Sequence, residues 1–437
     1  MRIAYITPYQ GPTVVKRRPI VGNRSVSNTI KIELIAGLLH ASSHEVEIIS
    51  HGEVIEHKLK FYRGFWETDV FHASIPIYYV SSLPIKRLNG FWSGTRALQF
   101  LKKRHQVRPY DLVIIFNLKP PQISCATYAI KQAGLPVILQ YEDDVFVSVV
   151  GQKTDGWLSK YHRSVYKRIL SSVSGCTAVS PHLLSQLPPG IPMLLLRGVV
   201  GDDVLKASEQ MKTRKRNWVV FSGTHIESNG VRELIAGWKI AAFPDWELHI
   251  TGFGGMTEEL RKMAENQRGV IFHGLVSRQD LVRLICSAKI CINPHAVSQT
   301  PGNVFAFKII EYLAAGAHVV STPMGTLETE IERGITYMPD NKAETIAATL
   351  KQVIETRCYE RTASEAALQS YGTRAVSESI ERLIQQVLSN KDGMARDRKS
   401  EVGSRRTEDR GRTSEISGPP QRIGHLGDPI SDSSPQG

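Results

Sequence analysis

The chain has 437 residues, of which 41% are hydrophobic and 22% charged, and its net charge is +12. This length exceeds that of one ordinary domain and the composition is typical of a globular protein, so we expect two domains with additional segments. The positive charge suits an anionic membrane face or phosphorylated small molecules. Because the basic residues are dispersed and no RNA-binding signature occurs, we expect no nucleic-acid partner.

The five cysteines show no CxxC or zinc-like spacing, which indicates a reducing compartment and predicts no metal site. No segment approaches the roughly 20 apolar residues of a membrane span, and Pro8 comes too early for a signal peptide. We therefore expect a cytoplasmic protein.

The first elements alternate as they do in a Rossmann-like domain. Residues 2–7 form a predicted buried strand, 27–40 a helix and 46–50 a second strand. A parallel sheet requires this order, because a helix must connect successive strands. Gly22 and Asn23 lie in the loop that precedes the helix.

Residues 57–110 combine aromatic and basic side chains, among them Trp66, Phe91, Trp92 and Arg96. Aromatic anchors with basic heads suit the interface of an anionic membrane. The same mixture suits a helix that packs its aromatic rings into the core and exposes its charges. Both interpretations remain open at this point.

Three carboxylates follow a predicted strand in the first domain. After the strands at 111–116 and 136–139, the chain continues through Glu142, Asp143 and Asp144. Ligands of open α/β sheets bind at the carboxyl ends of strands, so these residues are candidates for catalysis. Three adjacent acids repel one another, and at least one should need a cation or a proton. The alternative is an acidic N-cap for the following helix.

The first domain, 1–205, contains a further predicted strand at 175–180, where Ser180 precedes a proline in the pattern of a helix start, and residues 194–199 close the domain. The basic segment 206–216 is predicted to be a linker, since such runs are usually solvated.

The second domain, 217–370, repeats the alternation of strands and helices. Two of its predicted strands run directly into glycines: 218–222 precedes Gly223, and 246–251 precedes Gly252 and Gly254. A strand that runs into glycine and then a helix presents backbone N–H groups to phosphate oxygens. His295 follows another predicted strand, 290–293, and could bind a hydroxyl or a phosphate, although lone histidines are more often structural.

The segment 300–322 predicts a helix that begins near Val304 and ends at Gly316. Lys308 and Glu311 are three residues apart, so both project from one side of this helix near its start. A cation and a carboxylate there could hold a phosphate and a sugar hydroxyl. The alternative is an exposed Lys–Glu pair without function.

Residues 371–390 predict an amphipathic helix. Residues 391–437 are rich in charged residues, Ser, Gly and Pro, with almost no aromatic residues, and predict a disordered tail.

Phe305, Lys308, Glu311, Tyr312 and Gly316, with the Val-Val-Ser that follows, resemble the donor-site segment of retaining glycosyltransferases with the GT-B fold, in the group 1 family. The resemblance covers roughly residues 1–390. It implies an α/β fold of two Rossmann-like domains facing a cleft, with residues 371–390 returning to the first domain.

In that family a Glu-x7-Glu pair grips a nucleotide sugar, and its second Glu binds the ribose. Glu311 matches the second Glu, whereas the first position holds Asn303, which is a departure. A subset of the family replaces the first Glu and carries Phe-x-x-Lys before the second, as this chain does.

The resemblance implies roles for residues at the other strand ends. It places Gly22 and Asn23 on the acceptor side, and on the donor side it places Arg197, Gly223, Thr224, Gly252, Gly254, Leu275, His295, Asn303 and Phe305. Relatives also carry an Arg near Thr224 and a Lys near Asn229, and this chain has neither. We therefore expect Lys308, the Gly223 backbone and Arg197 to meet the charge of the diphosphate.

The implied function is transfer of a sugar from a nucleotide-diphosphate sugar to a glycan, a lipid-linked or a small-molecule acceptor, with retention of configuration. No metal and no cofactor are expected, and Lys308 would stabilise the leaving diphosphate. Glu142, Asp143 and Asp144 would position the acceptor or sugar. Such an enzyme would act in polysaccharide biosynthesis. It would have no membrane span and would contact the inner face of the membrane peripherally.

Three other classes remain open on the sequence. The same fold serves nucleotide-sugar epimerases, which need no acceptor. The missing Glu, Arg and Lys would suit a catalytically inactive partner subunit. A nucleic-acid-binding protein is the outsider, suggested by charge alone.

Overall fold

The computed structural model describes residues 1–18, 26–52, 54, 60–68, 75–85, 88–143, 157–297, 305–325 and 327–391. One compact unit spans Met1–Leu388. Four of the predicted site residues, Gly22, Asn23, Asp144 and Asn303, lie outside the described residues, as does the predicted tail beyond residue 391.

The N-terminal half contains an eight-stranded sheet. Its strands are β1 (Arg2–Thr7), β2 (Glu45–Ser50), β3 (Phe65–Glu67), β4 (Ile77–Tyr79), β5 (Leu112–Phe116), β6 (Val137–Tyr141), β7 (Gly175–Ala178) and β8 (Met193–Leu195). They are arranged in the order β3-β4-β2-β1-β5-β6-β7-β8, and all neighbours are parallel except β3 and β4. Every residue of β1, β5 and β6 is buried, as expected of parallel strands covered on both faces.

Six helices accompany this sheet in the described part of the chain. They are α1 (Pro12–Arg17), α2 (Val26–Ala41), α3 (Leu88–Val107), α4 (Pro120–Lys131), α5 (Trp157–Leu170) and α6 (Pro181–Leu184). Ser180 caps α6 by accepting a hydrogen bond from the N–H of Leu183, as its sequence pattern predicts. The short helix α1 lies where we expected a loop, because Pro12 occupies the first helical position.

The C-terminal half contains a six-stranded, fully parallel sheet. Its strands are β9 (Arg216–Ser222), β10 (Glu247–Thr251), β11 (Val270–Gly274), β12 (Ala288–Asn293), β13 (His318–Ser321) and β14 (Ile335–Tyr337). Their order is β11-β10-β9-β12-β13-β14, so the strand order reverses between β9 and β12. Doubly wound sheets bind their ligands at such a reversal. The predicted pair of Rossmann-like α/β domains is confirmed.

The remaining helices connect and cover the second sheet. They are α7 (Asp202–Met211), α8 (Val231–Ala241), α9 (Thr257–Ala264), α10 (Arg278–Ser287), α11 (Lys308–Ala314), α12 (Thr329–Glu332), α13 (Ala343–Glu355), α14 (Ser364–Tyr371) and α15 (373–391), with 3-10 turns at Glu227–Asn229 and Cys358–Glu360.

Two of these helices differ from the sequence-based expectation. Helix α7 overlaps the segment predicted as a linker, because Val204 and Ser208 recur at helical spacing on a buried face. Helix α11 starts at Lys308 rather than near Val304, and residues 305–307 precede it without helical structure. Gly316 follows the helix with a φ of 75°, in the left-handed conformation that glycine favours.

Apolar clusters connect the two halves. One buried cluster includes Val200 and Val204 together with Ile309 and Ile310 of α11. Helix α15 contributes Ile384 to the cluster beneath the first sheet. The second half is therefore packed against the first both beside α11 and through its final helix. None of the helices in the described part of the chain has the length and apolarity that a bilayer crossing requires.

Candidate functional site

Lys308 lies at the strand-order reversal of the second sheet. Its Nζ is 3.2 Å from the carbonyl oxygen of Ser222, the last residue of β9, and 4.5 Å from the ring centroid of Phe221. Among the described residues, no carboxylate forms an ion pair with Lys308. Burial lowers the pKa of Lys308 to about 7. The site therefore presents an amine with no acidic partner in the described chain, where an anion could supply one.

Two glycine-containing loops meet beside this amine. A Cβ on Gly252 would lie 1.9 Å from the carbonyl oxygen of Gly223, and Gly252 has a φ of 117°. Only glycine fits such an approach without displacement of the backbone. Similarly, a Cβ on Gly254 would lie 2.4 Å from the carbonyl oxygen of His225. The glycines that follow β9 and β10 therefore allow the two loops to touch.

The backbone donor at this turn differs from the one that we expected. The N–H of Gly223 donates to the carbonyl of Thr251 at 3.1 Å, because the pairing of β9 with β10 continues one residue past β9. The next amide, that of Thr224, has no acceptor among the described residues. If the turn binds an oxyanion, the N–H of Thr224 is the better candidate.

Glu311 is buried and forms an ion pair with Arg278. The Nη1 of Arg278 lies 2.7 Å from Oε1 of Glu311, and its Nε donates to Oδ2 of Asp203 at 2.8 Å. Burial raises the pKa of Glu311, and the charge of Arg278 opposes this rise. The exposed Lys308–Glu311 pair that we considered as the alternative is therefore not what the structure contains.

No sequence pattern indicated Arg278 as a partner of Glu311. It is the first residue of α10, in a segment that follows Gly274 and the exposed Leu275. Leu275 lies 68% exposed at the end of β11, where the resemblance places the border of the base pocket.

His295 and Arg197 are both engaged with protein groups. His295 Nδ1 lies 2.8 Å from the carbonyl oxygen of Ala296, and burial together with nearby Lys308 lowers the pKa of His295. Arg197 is buried, with Nη1 3.3 Å from Oε1 of Glu328 and its guanidinium 5.8 Å from the ring centroid of Phe305. The expected contact of Arg197 with donor phosphates stays a prediction, because a carboxylate already accompanies it.

The carboxylates of the first domain form a separate cluster, at the carboxyl end of β6. Oε2 of Glu142 lies 2.7 Å from Nζ of Lys31, and Gln140 donates to Oε1 of Glu142 at 2.7 Å. Lys31 is buried, so it is the cation that we expected the acids to need. No sequence pattern indicated Lys31, which is 111 residues from its partner.

Asn117 holds the backbone of this acidic turn. Its Oδ1 accepts the N–H of Glu142 at 2.7 Å and that of Asp143 at 3.1 Å. Burial and the charge of Glu142 raise the pKa of Asp143. The next described helix begins at Trp157, so the two acids cap no described helix.

Solved structures share this architecture. Sucrose-phosphate synthase from Thermosynechococcus elongatus aligns with a TM-score of 0.66 at 15% identity, covering 89% of this chain and 100% of that chain. HepE from Anabaena, in complex with UDP, aligns with a TM-score of 0.59 at 14% identity, covering 88% and 100%. A putative UDP-N-acetylglucosamine 2-epimerase from Listeria monocytogenes aligns with a TM-score of 0.57 at 11% identity, covering 89% and 97%. No curated protein sequence matches the chain.

The two facing Rossmann-like domains, with a polar site at the strand-order reversal of the second, define a protein of the GT-B class. Residues 216–356 match the family described as Glycosyl transferases group 1. The matched residues lie within the second domain and include the segment that resembles this family in the sequence, which agrees with that resemblance.

Proposed function

We propose that the protein transfers a sugar from a nucleotide-diphosphate sugar to an acceptor, with retention of configuration. The observation that carries the proposal is the position of Lys308, whose amine lies at the end of β9 with no acidic partner among the described residues. A diphosphate that leaves a sugar develops negative charge, and a fixed cation at that point stabilises the transition state.

The other donor contacts follow from the same geometry. The N–H of Thr224 would bind a phosphate oxygen beside Lys308, because Gly223 and Gly252 allow the two loops to approach closely. Glu311 would bind the ribose hydroxyls through Oε2, while Oε1 remains paired with Arg278. We assign stabilisation of the leaving group to Lys308 and this turn rather than to a metal ion.

We propose that the acidic turn of the first domain positions the acceptor or the transferred sugar. Glu142 is held by Lys31 and Gln140, so it is fixed as a hydrogen-bond acceptor. Asp143, whose pKa is raised by burial, lies beside it at the carboxyl end of β6. Parallel strands end at the same edge of a sheet, and this edge is where ligands of doubly wound domains bind.

We also propose peripheral contact between the first domain and an anionic membrane surface. Phe91 is 76% exposed, and neighbouring Trp92 packs against Phe61 and under the guanidinium of Arg96, 4.5 Å from its ring centroid. Aromatic rings next to cations suit the headgroup region. Co-sedimentation with phosphatidylglycerol vesicles should fall in Phe91→Ser, and unchanged binding would contradict this contact.

The donor is tested by thermal unfolding in the presence of uridine, guanosine and adenosine diphosphate sugars. A ligand that binds the folded state raises the melting temperature by mass action, by an amount that corresponds to about 2.7 kcal/mol at a hundredfold excess over its Kd. We expect the diphosphate sugar of one base to raise the melting temperature of the wild-type protein. The same ligand should not raise the melting temperature of Lys308→Ala. If no nucleotide sugar shifts the transition, the proposed function is wrong.

An epimerase is the second candidate, because the Listeria protein with the same fold carries that description. The two functions differ in what they consume. An epimerase changes the donor sugar in the absence of any acceptor, whereas a transferase releases the nucleoside diphosphate as the sugar moves. Chromatography of a labelled donor incubated with the protein alone separates them.

A further inference from the structure

Arg18 is a buried cation in the first domain that the donor site does not use. It is 1% exposed, directly after α1. Its Nη1 donates to the carbonyl of Gly52 at 2.8 Å, and its Nη2 donates to the carbonyls of Val80 at 2.6 Å and Arg63 at 3.3 Å. Its Nε has no hydrogen-bond partner in the part of the chain that the structure describes. Among the described residues, no carboxylate forms an ion pair with Arg18.

Burial of the Arg18 guanidinium without a negatively charged partner is energetically unfavourable. Carbonyl oxygens accept hydrogen bonds from the N–H groups of Arg18 but do not neutralise its charge, and burying an ion without a counter-ion is unfavourable. Burial lowers the pKa of Arg18 to about 10, so the guanidinium stays protonated near pH 7. The side chains that most affect it are the hydroxyl groups of Tyr79, Tyr62 and Tyr78. An anion in the neighbouring space would therefore supply the counter-charge.

A cavity of about 350 Å³ lies next to Arg18. Its walls include three arginines and three aromatic rings: Arg17, Arg18, Arg63, Phe61, Tyr62 and Phe65. The exposed Arg17 lies over the ring of Phe65, 4.4 Å from its centroid. The space is therefore bordered by three positive charges and by faces on which a sugar ring or an alkyl chain can pack.

The cavity is at the substrate-binding edge of the first sheet. Two of the carbonyls that hold Arg18 belong to Gly52, two residues after the carboxyl end of β2, and to Val80, directly after that of β4. Those strands are parallel to each other and to β1, so their ends share the edge that carries Glu142 after β6. In the proposed transferase this edge faces the acceptor.

We propose that the cavity binds a phosphate group carried by the acceptor substrate; this inference rests on the proposed transferase function. A phosphate ester brings up to two negative charges and the oxygen geometry that guanidinium groups bind in pairs. It would accept from the unpartnered Nε of Arg18 and from the exposed heads of Arg17 and Arg63. Recognition of the phosphate at this cavity then orients the acceptor hydroxyl toward the donor.

Calorimetric titration with inorganic pyrophosphate tests the cavity directly. The titration is made in the Lys308→Ala background, so that the donor site contributes little. We expect Arg63→Gln to weaken pyrophosphate binding about tenfold, since one charged hydrogen-bond donor is lost. The control is Arg374→Gln, because Arg374 is exposed on α15 and its loss changes the net charge equally. Equal affinity in the Arg63 and Arg374 variants overturns the proposal.

The shift in melting temperature that pyrophosphate causes is a second measurement. If Arg18 had only a structural role, its replacement by Met would leave this shift unchanged. In the same Lys308→Ala background, we expect pyrophosphate to raise the melting temperature when Arg18 is present but not in Arg18→Met. If Arg18→Met does not fold, Arg17→Gln and Arg63→Gln alter only exposed heads and carry the same test. Undiminished stabilisation by pyrophosphate in these variants contradicts the proposal.

Vesicles distinguish a lipid-linked phosphate from a soluble one. If phosphatidylglycerol vesicles compete with pyrophosphate in an Arg63-dependent manner, the phosphate belongs to a lipid. Competition by glucose 6-phosphate alone indicates a soluble phosphate ester. Failure of every phosphate probe, combined with retained stabilisation by a nucleotide sugar, would reject the acceptor class and leave the transferase function standing.

Discussion

The amine of Lys308 and the carbonyl of Ser222 lie 3.2 Å apart, although 86 residues separate them in the sequence. The contact joins the start of α11 to the end of β9 across the strand-order reversal of the second sheet. A carbonyl oxygen satisfies one N–H of the amine but leaves its charge in place. The amine therefore remains available to an anionic ligand.

Replacement of Lys308 by Ala should lower the transfer rate about 10²- to 10³-fold, the range observed when one donor that stabilises a developing anion is removed. Release of nucleoside diphosphate from the donor measures the rate. Lys351→Ala is the matched control, because Lys351 is an exposed lysine on α13 of the same domain. A Lys308→Ala protein with the wild-type rate would remove Lys308 from the mechanism.

Donor binding should weaken as the pH rises above 7. The pKa of Lys308 is lowered to about 7 by burial, so the amine is charged below that pH and increasingly neutral above it. A diphosphate prefers the charged amine and raises its pKa on binding, so the Kd should increase up to tenfold per pH unit until the pKa of the complex is reached.

Calorimetry of nucleoside diphosphate binding between pH 7 and 9 checks this slope, since phosphates are mostly ionised at pH 7 and their charge changes little above it. His295, the other titratable group near the amine, has a lowered pKa and stays neutral in this range. Lys308→Arg keeps its charge throughout and should bind with little pH dependence. A wild-type Kd that is constant from pH 7 to 9 would contradict the role of the amine.

The strands that position the site were predictable because they are buried on both faces. Residues 111–116 and 290–293 are nearly continuous apolar runs, and they became β5 (Leu112–Phe116) and β12 (Ala288–Asn293). Lys308 and Glu311 were predicted as site residues from their spacing and from the resemblance of their segment to a known family, which is local information.

The partners of the site residues were not predictable in the same way. Arg278 reaches Glu311 from another helix, and Lys31 reaches Glu142 across 111 residues. Such pairs depend on how the elements pack, and a single sequence carries no pattern for them. The start of α11 was misplaced for a related reason, because the turn and cap residues before Lys308 fit several start positions.

Arg278→Ala should destabilise the protein by about 3–5 kcal/mol, because the buried carboxylate of Glu311 loses its partner. Urea unfolding measures the loss. This loss in the free energy of unfolding should be larger at pH 8 than at pH 5. Burial raises the pKa of Glu311, so protonation at low pH removes the unpaired negative charge.

Two further variants separate the loss of the buried ion pair from the loss of an arginine side chain in general. Arg232 pairs with Glu259 at 2.6 Å on the surface, so Arg232→Ala should cost about 1 kcal/mol or less. The double variant Arg278→Met with Glu311→Gln removes both charges and should recover part of the stability lost in Arg278→Ala. If Arg278→Ala and Arg232→Ala lose equal free energy of unfolding, the buried pair contributes no more to stability than the surface pair.

Gly252→Ala should disrupt the turn next to Lys308. The new Cβ would lie 1.9 Å from the carbonyl oxygen of Gly223, at a φ of 117° that side chains rarely adopt, so one of the two loops must move. We expect a loss of about 2 kcal/mol or more in urea unfolding, together with weaker stabilisation by the nucleotide sugar. Gly255→Ala, three residues along the same loop, meets no atom within 4 Å and is the matched control. If Gly252→Ala binds and unfolds as Gly255→Ala does, the close approach of the two loops is not needed to shape the donor site.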